Sequence, residues 1–223
     1  MIDAHHTTYK PFGIFLLAAL TLPAPSATAS PGAPTPTLPA CIARLAALGI
    51  KAETPATMPA PPLPACVIAE PVTLISAAPR AGEAILFPDR PLLSCAMAER
   101  LGRFSGEVAS PMAVRALGKP LASIATGPGY ECRPRNRVAG AKISSHGQGN
   151  AADILMMELV VGPKIVVEKP DGAVTAAFLA ELRAAACDSF NTVLGPGSDP
   201  SHANHIHLDI EPRGKKGNSK FCQ

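Results

Sequence analysis

The sequence predicts an α+β domain with a small, largely antiparallel sheet, flanking helices and disulfide staples. Short β-branched or aromatic runs bounded by Pro and Gly mark strands, and longer stretches with an apolar period near 3.6 mark helices. The two kinds do not alternate regularly, so parallel crossovers look too few for a doubly wound sheet. Six cysteines, spread from Cys41 to Cys222, supply the staples.

The N-terminus comes first. Lys10 precedes an apolar run from Phe12 to Leu22, and Ala27-Thr28-Ala29 follows as an A-x-A site. The run is shorter than the roughly 20 residues a bilayer span needs, so residues 1–29 read as a signal peptide. The expected location is periplasmic or secreted, with no stable membrane span after cleavage. Residues 30–65 are crowded with Pro, Ala and Thr. Proline fixes φ and removes a donor, so this stretch is expected to be an extended spacer. Cys41, Leu45 and Leu48 recur on one face and allow a short helix within it. Folding proper is expected to begin near Cys66, and residues 66–223 suffice for one domain with a core.

Within that domain, strands are expected at Val72–Ile75 and Ile85–Phe87, followed by a helix from Leu92 through Phe104 and a second from Met112 to Leu117. Further strands fall at Leu121–Thr126, Ala151–Met157, Lys164–Glu168 and His205–Ile210. Val174–Phe190 is the clearest helix, with Val174, Phe178, Leu182 and Ala185 spaced to line one face. Among the cysteines, Cys187 is expected to pair with Cys222 and Cys95 with Cys132. No C-x-x-C occurs, so a thiolate zinc site or a thioredoxin-like motif is poorly supported. The net charge of +3 is too diffuse to argue for nucleic acid, and Arg213-Gly214-Lys215-Lys216 reads as a solvated tail.

Four of the six histidines lie in two segments, Ser145 to Asp153 and His202 to Asp209. A strand through His205–Asp209 sends His205, His207 and Asp209 to one face, with Ile206 and Leu208 anchoring behind. In the first segment Gly147 and Gly149 permit a bend between His146 and Asp153. Two ligands from this segment and a third from the neighbouring strand would make a metal site with a position left for water. Asp209 can instead orient His207 from behind.

At these residues the chain resembles the D-Ala-D-Ala metallopeptidases, which share a zinc fold with lysostaphin-type endopeptidases and the hedgehog signalling domain. Their S-x-H-x-x-G-x-A-x-D motif is matched by Ser144 to Asp153, and their later H-x-H by His205-Ile206-His207. The resemblance implies a hedgehog/D-Ala-D-Ala peptidase-like fold, Zn2+ as cofactor, and His146, Asp153 and His207 as metal ligands. His205 is then catalytic, and His202, placed as in the penicillin-insensitive murein endopeptidases, competes with it as base. Ser145 is counted with the substrate-binding residues. In the D-Ala-D-Ala group an Arg in a Y-R-S segment binds a substrate carboxylate. Here Tyr130 and Arg133 are separated by an inserted Glu-Cys, so Arg133 and its rival Arg135 are both candidates, beside Tyr130. More locally, Gly129 to Asn136, Gly149 to Ile154 and Val193 to Ser198 resemble the bacterial extensin-like C-terminal domain family.

The expected function is therefore an exported zinc-dependent amide hydrolase, carboxypeptidase or endopeptidase, with peptidoglycan stem peptides or another cell-wall peptide as partner. The alternative is a non-catalytic wall-binding module that retains the zinc site. A non-haem iron oxygenase usually places its His and Asp two residues apart, unlike His146 and Asp153.

Overall fold

The computed structural model describes residues 37–78 and 82–223, so the expected signal peptide lies outside the described residues. The folded unit begins earlier than Cys66. Helix α1 (Leu38–Ala47) starts with Pro39 in its first turn, where the missing N–H costs nothing. It buries Cys41 and Leu45 completely and leads directly into strand β1 (Ile50–Glu53). Among the described residues, Thr54 to Pro64 keeps the expected spacer character, with no helix or strand and mostly exposed residues.

The larger sheet has seven strands, ordered β1, β2 (Pro71–Ala77), β3 (Ile85–Leu86), β5 (Leu121–Ala125), β7 (Met156–Leu159) and β8 (Lys164–Val166), with β4 (Leu92–Ser94) also on β2. The smaller has four, ordered β11 (Phe221–Cys222), β9 (Thr192–Leu194), β10 (Ile206–Asp209) and β6 (Ala151–Ile154). The expected single antiparallel sheet is thus two mixed sheets, since β3 runs parallel to β5 and β11 parallel to β9. Both parallel pairs join strands distant in sequence, across residues 87–120 and 195–220. The run expected as one strand, Ala151–Met157, is two. Leu155 breaks it: its N–H bonds Ala125 O and its carbonyl accepts from Val167, so the chain leaves the small sheet and enters the large one.

The helix expected from Leu92 starts later, because Leu92–Ser94 pairs with β2 and Ser94 becomes the N-cap, its Oγ accepting from Met97 N at 3.2 Å. Helix α2 (Cys95–Arg103) then runs through a π-helical turn (Phe104–Ala109) into α3 (Ser110–Leu117). Pro111 has no N–H to offer, and the widened turn before it shifts the hydrogen-bond register so that the helix continues instead of breaking. Helix α4 (Gly172–Ser189) buries Phe178, Leu179, Leu182 and Ala186, whereas Val174, expected on the inner face, is exposed one turn too early.

Phe87, Phe104, Phe178 and Phe190 are all fully buried, and Phe104 meets Phe190 edge-on at 5.4 Å. Full burial of such a side chain is worth about 1.5–3 kcal/mol, whereas a solvent-exposed ion pair such as Arg103–Glu107 is screened by water and adds little. The core therefore outweighs the surface charge pairs. Three disulfides brace it: Cys41–Cys95, Cys66–Cys132 and Cys187–Cys222. The last is as expected, but Cys95 pairs with Cys41, not Cys132, because α1 packs on α2 and places Cys41 over its first turn. Three disulfides fit an oxidising, non-cytosolic compartment, and among the described residues no helix is long and apolar enough to cross a membrane.

Candidate metal centre

The smaller sheet builds the site by register. In the antiparallel pairing of β10 with β6, His207 lies directly opposite Asp153, and across β9 Asp209 lies opposite Thr192. Ile206, Leu208, Ala152 and Ile154 point the other way into the core. The alternation expected along His205–Asp209 therefore holds, with the polar face turned to a cleft of about 400 Å3.

His146 arrives on a single 3-10 turn (Ser145–Gln148) ahead of β6, capped by Ser144. The turn ends at Gly149, whose φ of +65° and whose Cβ position, 2.8 Å from Ser94 N, leave no room for a side chain. Behind the ring, His146 Nδ1 lies 2.7 Å from the carbonyl of Gly129. A carbonyl can only accept, so Nδ1 carries the proton and Nε2 presents a lone pair to the cleft.

Three donor atoms converge there. His146 Nε2 lies 3.2 Å from Asp153 Oδ1 and 3.2 Å from His207 Nδ1, and His207 Nδ1 lies 2.9 Å from Asp153 Oδ1. The lone pair of His146 and the carboxylate oxygen of Asp153 thus face each other at hydrogen-bond distance, in a largely buried place. A proton or a metal cation between them relieves this. A tetrahedral ion with ligands at about 2.0–2.1 Å sets its donors about 3.3 Å apart, close to the spacing found. His146, Asp153 and His207 can therefore hold a metal ion.

The electrostatics agree. Burial pushes the Asp153 carboxyl up, but the facing imidazoles of His146 and His207 outweigh it and hold it well below the usual range. Burial likewise disfavours charge on His207, yet Asp153 on one nitrogen and Asp209, 3.4 Å from the other, raise it to about 9. Without metal, a proton on Nδ1 stands where the cation would sit. Asp209 is the expected orienting residue: it is buried, takes the N–H of Glu211, and stays ionised through His207 despite its burial.

His205 and His202 complete the cluster. His205 Nε2 lies 3.5 Å from Asp153 Oδ1, while its Nδ1 is tied to Asn204 Oδ1 at 2.8 Å. Burial, opposed by Asp153 and assisted by the neighbouring imidazoles, lowers its pKa, so it is neutral at pH 7. His202 donates from Nδ1 to Asp199 at 2.7 Å, and its ring stands 5.2 Å from that of His205 and 5.5 Å from that of His207. His202, His205 and His207 also form a second group able to share an ion.

The remaining expected residues are placed unequally. Arg133 and Arg135 line the cleft, but Arg133 Nε donates to Glu131 at 2.6 Å and Arg135 pairs with Glu211. Ser145 is buried at the cleft floor, its hydroxyl within 3.0 Å of Glu211 and 3.3 Å of Asp209. Tyr130 is not brought into the cleft: its hydroxyl donates to Cys66 O at 3.2 Å, beside the Cys66–Cys132 disulfide. Gly129, Asp199 and Thr192 were not singled out from the sequence. Gly129 acts through its carbonyl, which no side-chain pattern reveals. A somewhat larger hollow, about 460 Å3, lies along α2, but its Arg44 and Arg103 are already paired with Glu99 and Glu107, so it gathers no comparable set of donors.

Fold and site together define a disulfide-braced α+β domain with a buried His/Asp cluster able to bind a metal. The family model for the extensin-like protein C-terminus matches residues 39–223, and the chain belongs to that family. No curated protein and no solved structure matches it.

Proposed function

We propose that the protein is an exported zinc-dependent amide hydrolase acting on peptidoglycan stem peptides or a related wall peptide. The observation that carries this is the His146–Asp153–His207 triangle with neutral His205 at its edge. A two-His, one-carboxylate set with open space before it suits catalytic rather than structural zinc, and the motif's resemblance to D-Ala-D-Ala metallopeptidases supplies the substrate class. Zinc held there supplies Lewis-acid chemistry, polarising a carbonyl and acidifying water.

The chain's own residues supply the rest. His205 Nε2, neutral at pH 7, accepts a proton from water and returns it to the amine nitrogen of the breaking amide. Water's oxygen ends in the new carboxylate. In its doubly protonated form His202, oriented by Asp199 through Nδ1, would donate from Nε2 to the oxygen on which negative charge develops.

The test is digestion of purified sacculi with and without chelator, read by mass spectrometry, beside His205→Ala protein. New peptide fragments, lost with chelator and in a metal-replete His205→Ala protein, support the hydrolase. Binding to sacculi with no fragments under any metal loading favours the wall-binding module. Elemental analysis of the purified protein separates zinc from iron.

A further inference from the structure

Four arginines line the metal cleft: Arg133, Arg135, Arg137 and Arg213. Three are each in an ion pair, although the carboxylates are shared. Arg133 and Arg137 share Glu131, and Arg135 shares Glu211 with Lys142. Arg213 differs, since among the described residues it pairs with no carboxylate. Its Nε donates to Thr192 Oγ1 at 2.6 Å, and its guanidinium lies 5.2 Å from the Phe221 ring centroid.

We propose that Arg213 is the anion anchor of the cleft and binds a carboxylate on the ligand presented to the His146–Asp153–His207 triangle. That the ligand is a peptide rests on the hydrolase reading above; that it carries a carboxylate rests on Arg213. A guanidinium offers five donors in a planar fork that matches a carboxylate, and here Nε alone is used by the protein. Stacking on Phe221 and the bond to Thr192 fix the fork in advance, so less side-chain freedom is lost on binding.

The position is set by the framework of the site itself. Thr192 lies opposite Asp209 in the β9–β10 pairing, and its hydroxyl hydrogen-bonds the Asp209 carboxylate. Asp209 in turn holds His207. Arg213 is thus connected to the ring that faces the metal through two side chains. On the other side, Phe221 sits in β11, which pairs parallel to β9 and carries Cys222, bonded to Cys187. Of the stretch expected as a solvated tail, Gly214, Lys215 and Lys216 are exposed, whereas Arg213 is half-buried and lines the cleft together with Phe221. Arg213, His146 and His207 line the same cleft, and a peptide carries a carboxylate at one end and amide groups along its length.

The test uses disulfide-intact, zinc-loaded protein titrated calorimetrically with N-acetyl-D-alanyl-D-alanine and with its C-terminal amide. The acid is expected to bind on the order of tenfold or more tighter than the amide. Arg213→Ala should erase that preference while zinc content and near-UV circular dichroism stay as in the parent, and Arg213→Lys should restore part of it. Thr192→Val, which leaves the charge, should weaken acid binding by a smaller factor. Equal binding of the two peptides, no binding of either, or a preference that survives Arg213→Ala and falls only in Arg135→Ala would each overturn the inference. Cleavage is followed separately on the same samples. An Arg213-dependent preference for the acid, without cleavage of sacculi or peptide, keeps the anion anchor and removes the hydrolase.

Discussion

His146 Nδ1 donates to the carbonyl of Gly129 at 2.7 Å, and this one bond decides which nitrogen of the ring faces the cleft. The carbonyl is delivered by a glycine whose φ is +76° and whose Cβ would lie 2.8 Å from Leu92 O. Gly129→Ala should therefore both strain the loop and turn His146. Outer partners of metal-bound imidazoles are worth about 10–100-fold in affinity, and a loss of that size is expected in a competitive zinc titration. Unchanged affinity in a folded Gly129→Ala protein would contradict it.

Removing a ligand should do more. His146→Ala and Asp153→Ala are expected to lose metal by over 100-fold, beyond the roughly 10–100-fold effect of outer partners. Asp209→Asn, which only orients His207, should fall within that outer range. Metal content after dialysis, measured on all three, ranks them; equal retention would remove the assigned triangle.

The metal-free protein should have a distinctive pH profile. His207 is raised to about 9, so its contribution is full below its unfolded value of 6.5 and is lost as pH rises through 9. Asp153 and Asp209 are depressed, so theirs is present above the unfolded carboxylate value, about 4, and lost as pH falls. Metal-free protein is thus expected to be most stable between roughly pH 4 and 6.5 and to lose thermal stability towards pH 9.5. Metal takes the place of the Nδ1 proton, so the loaded protein should not show the alkaline decline and its metal affinity should rise over that interval. Calorimetric melting of both forms across pH 5–10 checks this, and coincident profiles would rule it out.

Cys41–Cys95 closes a separation of 54 residues. Chain entropy for such a loop gives about 4 kcal/mol, the upper bound expected on replacing both cysteines by Ser. The loss should concentrate in α1, whose amides should exchange faster than those of α4. Uniform exchange across the domain would show that α1 does not depend on the tether.

Much of the site was legible because its information is local. Glycines space His146 from Asp153, and a period of two puts His207 and Asp209 on one face; both follow from short-range geometry. That His207 stands opposite Asp153 is a matter of register between distant strands, which only the folded sheet fixes. The same limit explains the cysteines: Cys187 and Cys222 flank one hairpin-like return, whereas the partner of Cys95 depended on α1 docking in a stretch that composition alone marks as spacer. Tyr130 lies outside the cleft and Arg213 lines it, against expectation, for a related reason. A motif-like neighbourhood drew attention to Tyr130, while Arg213 gained its place from a tail pinned by β11.

Leu155 is the sole residue between the strand holding Asp153 and the next strand of the larger sheet. A candidate metal ligand is thereby joined to the main scaffold without any slack, and a pull on either sheet is transmitted to the carboxylate. The centre cannot loosen by fraying alone, so it should melt with the body of the protein, and transplanting the two histidine segments onto a foreign loop should not reproduce it.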